Sequence, residues 1–205
     1  MVFTKSEMAA NRVMKSITDW IERKLFLKVN ATKTKVVRPT RSKYLGFTFL
    51  NHGGEWKVKP TTEKKKKLKQ KLSEYLKRNK AIARPLAVTI KRVNEVVRGW
   101  INYFRIGMMK TFMQEFGAWL RHKIRVIVIK QWKTPKTIYR NLCYLNQKNK
   151  NGFDHESIYK VANSRLGWYR QSGMNVVNFI ISPDLLENKI KDGAGLLNPL
   201  NYYLR

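Results

Sequence analysis

The sequence predicts an α+β fold dominated by helices. Two observations carry the helical part. Apolar residues recur at spacings of three and four along most of the chain, and Pro or Gly-rich breaks divide these runs into helix-sized pieces. The β part rests on a third observation. Residues 44–59 hold two short runs that read as strands, joined by the turn sequence Asn51-His52-Gly53-Gly54. The expected architecture is an N-terminal helix with a β-hairpin (1–59), a three-helix bundle (60–133) and a small helical C-terminal region (134–205).

Residues 5–26 form the first expected helix, with Met8, Val13, Met14, Ile17, Trp20, Ile21 and Leu25 at helical spacing and Ser6 as N-cap. The chain then extends through Leu27–Asn30. A basic strand is expected over Lys33–Arg38, closed by Pro39. The hairpin pairs Tyr44–Leu50 with Glu55–Lys59, and Gly46 within it signals a bulge or a close approach to a ligand or a neighbouring helix.

Pro60-Thr61-Thr62-Glu63 opens the next helix, which runs to about Asn79 with Leu68, Leu72, Tyr75 and Leu76 as its apolar stripe. Its first turns carry the run Lys64-Lys65-Lys66-Lys67. Lysines at a helix N-terminus oppose the helix dipole, a small penalty that facing phosphate would relieve. A second helix spans roughly 85–105, with Leu86, Ile90, Val93, Val97, Trp100 and Phe104 on one face. Lys91, Asn94, Arg98, Asn102 and Arg105 fall opposite, a stripe suited to phosphate and sugar contacts. Gly99 inside this helix costs about 1 kcal/mol relative to Ala, which points to a close neighbour there, protein or RNA. A third helix covers about 109–132, with Phe112, Met113, Phe116, Trp119, Leu120, Ile124 and Ile127 inward and Lys110, Gln114, Arg121 and Arg125 on another face. Val126–Ile129 is β-branched enough for a strand but is read as helix, since no breaker precedes it. Further helical units are expected over Pro135–Leu145 and Ile158–Gly173, separated by a loop at Asn146–Gly152. Pro183, Gly193, Gly195 and Pro199 break up the tail.

Charge bounds the partner. Among 205 residues, 43 Lys and Arg face 13 Asp and Glu, a formal net charge of +30. Self-repulsion on this scale opposes compaction, so the chain calls for a polyanion, nucleic acid first and an anionic membrane surface second. A hydrophobic content of 43% sets it apart from a disordered polycation. It has no run of about 18 apolar residues and no N-terminal apolar run of the signal-peptide kind. No membrane partner is expected, and a cytoplasmic location fits. Cys143 is the one cysteine, read as a small buried hydrophobe between Leu142 and Tyr144 in a reducing compartment.

Several chemistries are missing. His52, His122 and His155 lack metal-ligand spacing, and Cys143 has no partner. No Gly-rich phosphate loop or nucleophile elbow occurs. Asp19 and Glu22 sit about one helical turn apart, Asp154 and Glu156 sit beside a turn, and neither pair suggests a two-metal centre. No catalytic or metal site is expected. Binding remains: Trp100, Tyr103, Trp132, Trp168 and Tyr169 lie within two residues of an Arg or Lys, and aromatic planes beside cations can stack bases and hold phosphates. Periodicity assigns Trp100 and Trp119 to the core, leaving Tyr103, Trp168, Tyr169 and the arginines as better contacts.

These residues resemble a family. Val97-Arg98-Gly99-Trp100-Ile101-Asn102-Tyr103-Phe104-Arg105, followed by Met109-Lys110-Thr111-Phe112 and Gly117-Ala118-Trp119-Leu120-Arg121, is similar to the signature of the maturase-specific domain of group II intron-encoded proteins. Leu27–Asn30 with Lys33-Thr34-Lys35, and then Tyr44-Leu45-Gly46-Phe47, resemble late reverse-transcriptase blocks. Ala162-Asn163-Ser164-Arg165-Leu166-Gly167-Trp168-Tyr169 resembles the C-terminal DNA-binding region of bacterial members.

The resemblance implies the end of a palm at 1–59, a thumb or maturase domain at 60–133 and a DNA-binding region at 134–205. It implies binding of group II intron RNA, to assist splicing and retrohoming, and of target DNA. The RNA contacts would come from Lys64, Lys65, Lys66, Lys67, Lys91, Asn94, Arg98, Asn102, Tyr103, Arg105, Lys110, Arg121 and Arg125. The DNA contacts would come from Arg165, Trp168, Tyr169 and Arg170. The family's Tyr-Ala-Asp-Asp polymerase motif should precede Met1, so this chain alone is not expected to polymerise. Nor does a His-Asn-His nuclease cassette follow. No cofactor is expected on the chain; Mg2+ would serve the polymerase site and the intron RNA. Two other functions stay open: the C-terminal half of a split reverse transcriptase, active with a separate fingers–palm polypeptide, and a non-specific basic binder from a degenerate intron.

Overall fold

A computed structural model describes residues 1–188 and 195–205. The fold is α+β and helix-dominated, with one small antiparallel sheet among the described residues. The chain forms two compact units, Met1–Thr61 and Thr62–Arg205.

In the first unit, helix α1 spans Glu7–Leu25. The Ser6 side chain accepts the Ala9 N–H at 3.2 Å, as its capping position requires. Phe26 ends the helix in the left-handed region at φ 54°. The Lys33–Arg38 strand does not form. Asn30 Oδ1 instead accepts the N–H groups of Thr32 and Lys33, closing a turn, and a single 3₁₀ turn follows at Pro39–Arg41. A strand needs a ladder partner, and the sheet of this unit holds only β1 (Lys43–Tyr44), β2 (Phe47–His52) and β3 (Glu55–Pro60), in that order. The expected strand Tyr44–Leu50 is thus broken in two. Leu45 and Gly46, at φ 50° and 87°, make a tight two-residue turn between Tyr44 and Phe47. Gly46 is a turn residue and not a bulge, and its carbonyl accepts the Thr61 N–H at 2.9 Å. Gly53 and Gly54 form the second such turn, pairing His52 with Glu55.

None of residues 1–59 is buried. Helix α1 carries an apolar stripe, yet Met8, Ile17, Trp20 and Leu25 are exposed.

The second unit holds the core. Helix α2 (Thr62–Tyr75) buries Leu68 and Leu72, and the short α3 (Arg78–Ala81) buries Ala81. Helix α4 (Leu86–Phe104) buries Ile90, Val93, Val97, Ile101 and Phe104. Helix α5 (Lys110–Gln131) is the axis of the unit: Met113, Phe116, Leu120, Ile124, Ile127 and Ile129 are wholly enclosed. Each such side chain contributes about 1.5–3 kcal/mol by leaving water. Residues 124–127 are buried in succession. The apolar run Val126–Ile129 is therefore helical and continuous, because neighbours enclose this part of α5 on every side.

Helix α6 (Pro135–Asn149) starts at Thr134, whose hydroxyl accepts the Thr137 N–H. It runs four residues beyond the expected end. Asn146 clamps the turn that follows, donating to the Phe153 carbonyl at 2.9 Å and accepting the Phe153 N–H at 3.2 Å. The helix expected at 158–173 is two: α7 (His155–Ala162), capped by Asp154, and α8 (Trp168–Ser172), separated by Gly167 at φ 83°. Helices α9 (Asn175–Ile180), α10 (Pro183–Glu187) and α11 (Pro199–Leu204) complete the tail. Gly193 lies outside the described residues. Helix α8 packs on α5, and α11 packs on both α4 and α5. Elements before and after residue 133 thus share one unit.

Candidate nucleic-acid interface

Helices α2 and α4 enclose an open groove of about 570 Å³. Lys64, Lys67 and Lys71 line it from α2, at the three- and four-residue spacing that puts them on one helix face. Arg92, Val96, Gly99 and Tyr103 line it from α4 at the same spacing, and Leu68, Trp100 and Phe104 contribute apolar lining. Four cations thus meet one carboxylate, Glu95, whose Oε2 holds Arg92 Nη1 at 2.9 Å. A Cβ added at Gly99 would meet nothing within 4 Å, so no protein neighbour occupies the space that this glycine leaves.

The groove walls are fixed from behind. Lys65 and Lys69 place their ammonium groups 4.9 and 5.8 Å from the Phe112 ring centroid, which ties α2 to α5. Trp100, Phe112, Phe116 and Trp119 continue as a row of rings with successive centroids 5.6–5.7 Å apart. Tyr103 is 55% exposed, and its ring meets Phe104 edge-on at 4.7 Å.

The structure scatters the residues expected to meet RNA. Lys64, Lys67 and Tyr103 lie in the groove, while Lys66 is exposed nearby and Lys65 leans on Phe112. Lys91, Arg98, Asn102 and Arg105 are exposed, but around α4 from the groove. Asn102 Oδ1 accepts the Tyr202 hydroxyl at 3.0 Å. Lys110 is exposed at the start of α5, and Arg121 is half-buried beside Gly117.

Two of the expected contacts are interior residues. Asn94 is 3% exposed; it donates to the Gly195 carbonyl at 2.8 Å and accepts the Leu197 N–H at 2.9 Å. It sits only about 20° around the helix from Ile101, so it belongs to the edge of the buried stripe. Arg125 is 6% exposed and donates from Nε to the Ile181 carbonyl at 2.8 Å and from Nη2 to the Asn178 carbonyl at 3.3 Å. Burial, with the Arg121 charge second, lowers its pKa to about 10. Lys71 and Arg92 were missed. The signal was available: Lys71 is one turn beyond Lys67, and Arg92 is two turns before Gly99.

Residues 65–145 match the family model of the group II intron, maturase-specific domain. This stretch is similar to a maturase-specific domain. Comparison with curated proteins gives no match. The matched stretch contains every groove residue except Lys64.

A second basic-aromatic cluster joins the matched stretch to the region after it. His122 and Lys123 project from α5 toward Tyr169 of α8, with the His122 ring centroid 4.2 Å from the Tyr169 ring and Lys123 Nζ 5.4 Å from its centroid. Ser172 Oγ lies 3.4 Å from His122 Nε2. Burial, then the Arg125 charge, pulls the His122 pKa below its ordinary value, so the ring is neutral at pH 7. Arg165, Tyr169 and Arg170 are exposed here, whereas Trp168 is half-buried.

Cys143 is half-exposed, contrary to the expected burial. Its Sγ lies 3.7 Å from His155 Nδ1, which is also 3.0 Å from the Tyr139 hydroxyl. Among the described residues, no three His, Cys, Asp or Glu side chains gather as a metal site, and no helix is long and apolar enough to cross a membrane.

Proposed function

We propose that the chain is the nucleic-acid-binding maturase portion of a group II intron reverse transcriptase, gripping intron RNA to assist splicing and retrohoming. The observation that carries this reading is the groove inside the maturase-specific domain. It sets four cations and an exposed tyrosine around an open glycine, the combination that holds phosphates and stacks bases. Catalysis on this reading belongs elsewhere: splicing chemistry to the RNA with its Mg2+, and polymerisation to a fingers–palm segment. Arg165, Tyr169 and Arg170 are assigned to target DNA.

The test compares binding of intron RNA and an unrelated folded RNA between about 0.1 and 0.3 M KCl, where phosphate contacts dominate the salt slope. Intron RNA should bind more tightly. Replacing Lys64, Lys67, Lys71 and Arg92 together by Gln should lower the slope of log K against log salt by about 3. Equal affinity for both RNAs would instead support a non-specific basic binder.

A second reading is favoured by the first unit. Its helix α1 exposes an apolar stripe, and Val13, Met14, Ile17, Val36 and Val37 line an open groove of about 520 Å³. This surface suits docking of a separate fingers–palm polypeptide, which would make the pair a split reverse transcriptase. Primer extension that requires both chains supports it; an inactive mixture sinks it.

A further inference from the structure

The groove between α2 and α4 has features that a site for duplex phosphates does not need. The first is Gly99. It sits inside α4 with no positive φ, so the backbone does not demand glycine there. No protein atom within 4 Å demands it either. Any residue but proline would be better for the helix. What the glycine does provide is bare helix backbone at the foot of the groove, open to a flat group from outside.

The second feature is the pair of side chains one turn away on either side. Tyr103, four residues on, presents an exposed ring beside the opening, steadied by its edge contact with Phe104. Glu95, four residues back, lines the groove with its carboxylate, anchored through Oε2 by Arg92 at 2.9 Å. A carboxylate repels phosphate but accepts hydrogen bonds from the amino group of a base. The third feature is the opposite wall, where Lys64, Lys67 and Lys71 form a row about 10 Å long.

From this juxtaposition we infer that the groove is a pocket for an unpaired nucleotide. The base lies over Gly99 against the Tyr103 ring, its amino edge faces Glu95, and its flanking phosphates run along Lys64, Lys67 and Lys71. A paired base cannot enter, because its faces are covered by its stacking neighbours and its edge by its partner. The volume of about 570 Å³ lies in the range of pockets that enclose small molecules. The carboxylate selects bases with an amino group (guanine, adenine, cytosine) over uracil. The inference rests on the nucleic-acid reading above and narrows it to single-stranded segments such as loops and bulges.

The experiment uses the full chain and two RNA hairpins of equal length and charge, one fully paired and one with a three-nucleotide bulge. Affinities are read by fluorescence anisotropy at about 0.15 M salt. The wild type should prefer the bulged RNA. Both Gly99→Leu, which fills the space over the backbone, and Tyr103→Leu should cut that preference about tenfold, since one stacked base carries free energy of that order. In the Gly99→Leu protein the melting temperature should not fall, which separates a blocked pocket from misfolding. Glu95→Gln should erase the discrimination against uracil in the bulge. Equal binding of the two hairpins by the wild type overturns the pocket while leaving the nucleic-acid reading intact. So does an unchanged preference in both Gly99→Leu and Tyr103→Leu. Failure of the wild type to bind either RNA overturns both readings together.

Discussion

Replacing Gly99 by Ala should make the protein more stable. Gly99 lies five residues before the end of α4, inside the hydrogen-bonded helix. Glycine in such a position gives up more backbone freedom on folding than alanine, a difference of about 0.5–1 kcal/mol. This gain survives only if the new methyl group meets no resistance, and the position of its Cβ is clear of other atoms to 4 Å. The burial gained by the methyl is small, because the site is exposed, so the backbone term decides the sign. For a folding unit of this size, 1 kcal/mol corresponds to about 2–4 °C in Tm. The expected shift is therefore a rise of about 1–4 °C, read from helical circular dichroism during heating and checked by urea titration with an unchanged slope. A fall in Tm would refute the reasoning, since it would mean that a neighbour already closes over Gly99.

Other substitutions probe the interior polar groups. Asn94→Ala should destabilise by about 2 kcal/mol, because it removes one donor and one acceptor and leaves the Gly195 carbonyl and the Leu197 N–H without them; a urea midpoint near that of the wild type would count against a structural role for these two bonds. Arg125→Ala should cost about 2–3 kcal/mol through its two charge-assisted bonds to the Ile181 and Asn178 carbonyls. That loss should appear in denaturant melts and not as a selective loss of RNA affinity. His122 gives a pH dependence. Its folded-state pKa is lowered, so the unfolded chain takes up its proton first as pH falls through about 6.5. Stability should be full above that pH and decline below it, and His122→Gln should flatten the decline in Tm measured between about pH 5 and pH 8.

Much of the fold was legible in the sequence because helices declare themselves locally. Ser6 marks the start of α1, Thr134-Pro135 opens α6, and the stripe Ile90-Val93-Val97-Phe104 faces inward as its spacing requires. What was not legible depends on partners distant in sequence. Lys33–Arg38 has strand composition but no ladder to join, so the side chain of Asn30 folds the chain into a turn before it. Asn94 and Arg125 read as surface residues because polarity is a local clue, while the carbonyl groups that bury them come from residues 178–195. The candidate site was partly legible for the same reason. The α4 stripe opposite the apolar face could be computed from one helix alone. The groove needed two helices, and it opens on the flank where Gly99 and Arg92 lie.

The hydrogen bonds that seat the tail on α4 also set a schedule. Asn94 meets Gly195 and Leu197 across about one hundred residues of chain, and Tyr202 reaches Asn102 over a similar span. At ribosomal speeds of about 5–20 residues per second, Asn94 would be added to the chain about 5–20 s before its partners. During that interval the side chain can be satisfied only by water, so this edge of α4 stays open while the helix itself is already made. Closing this edge of the unit thus waits for residues 195–202, although the helix that they close was specified a hundred residues earlier.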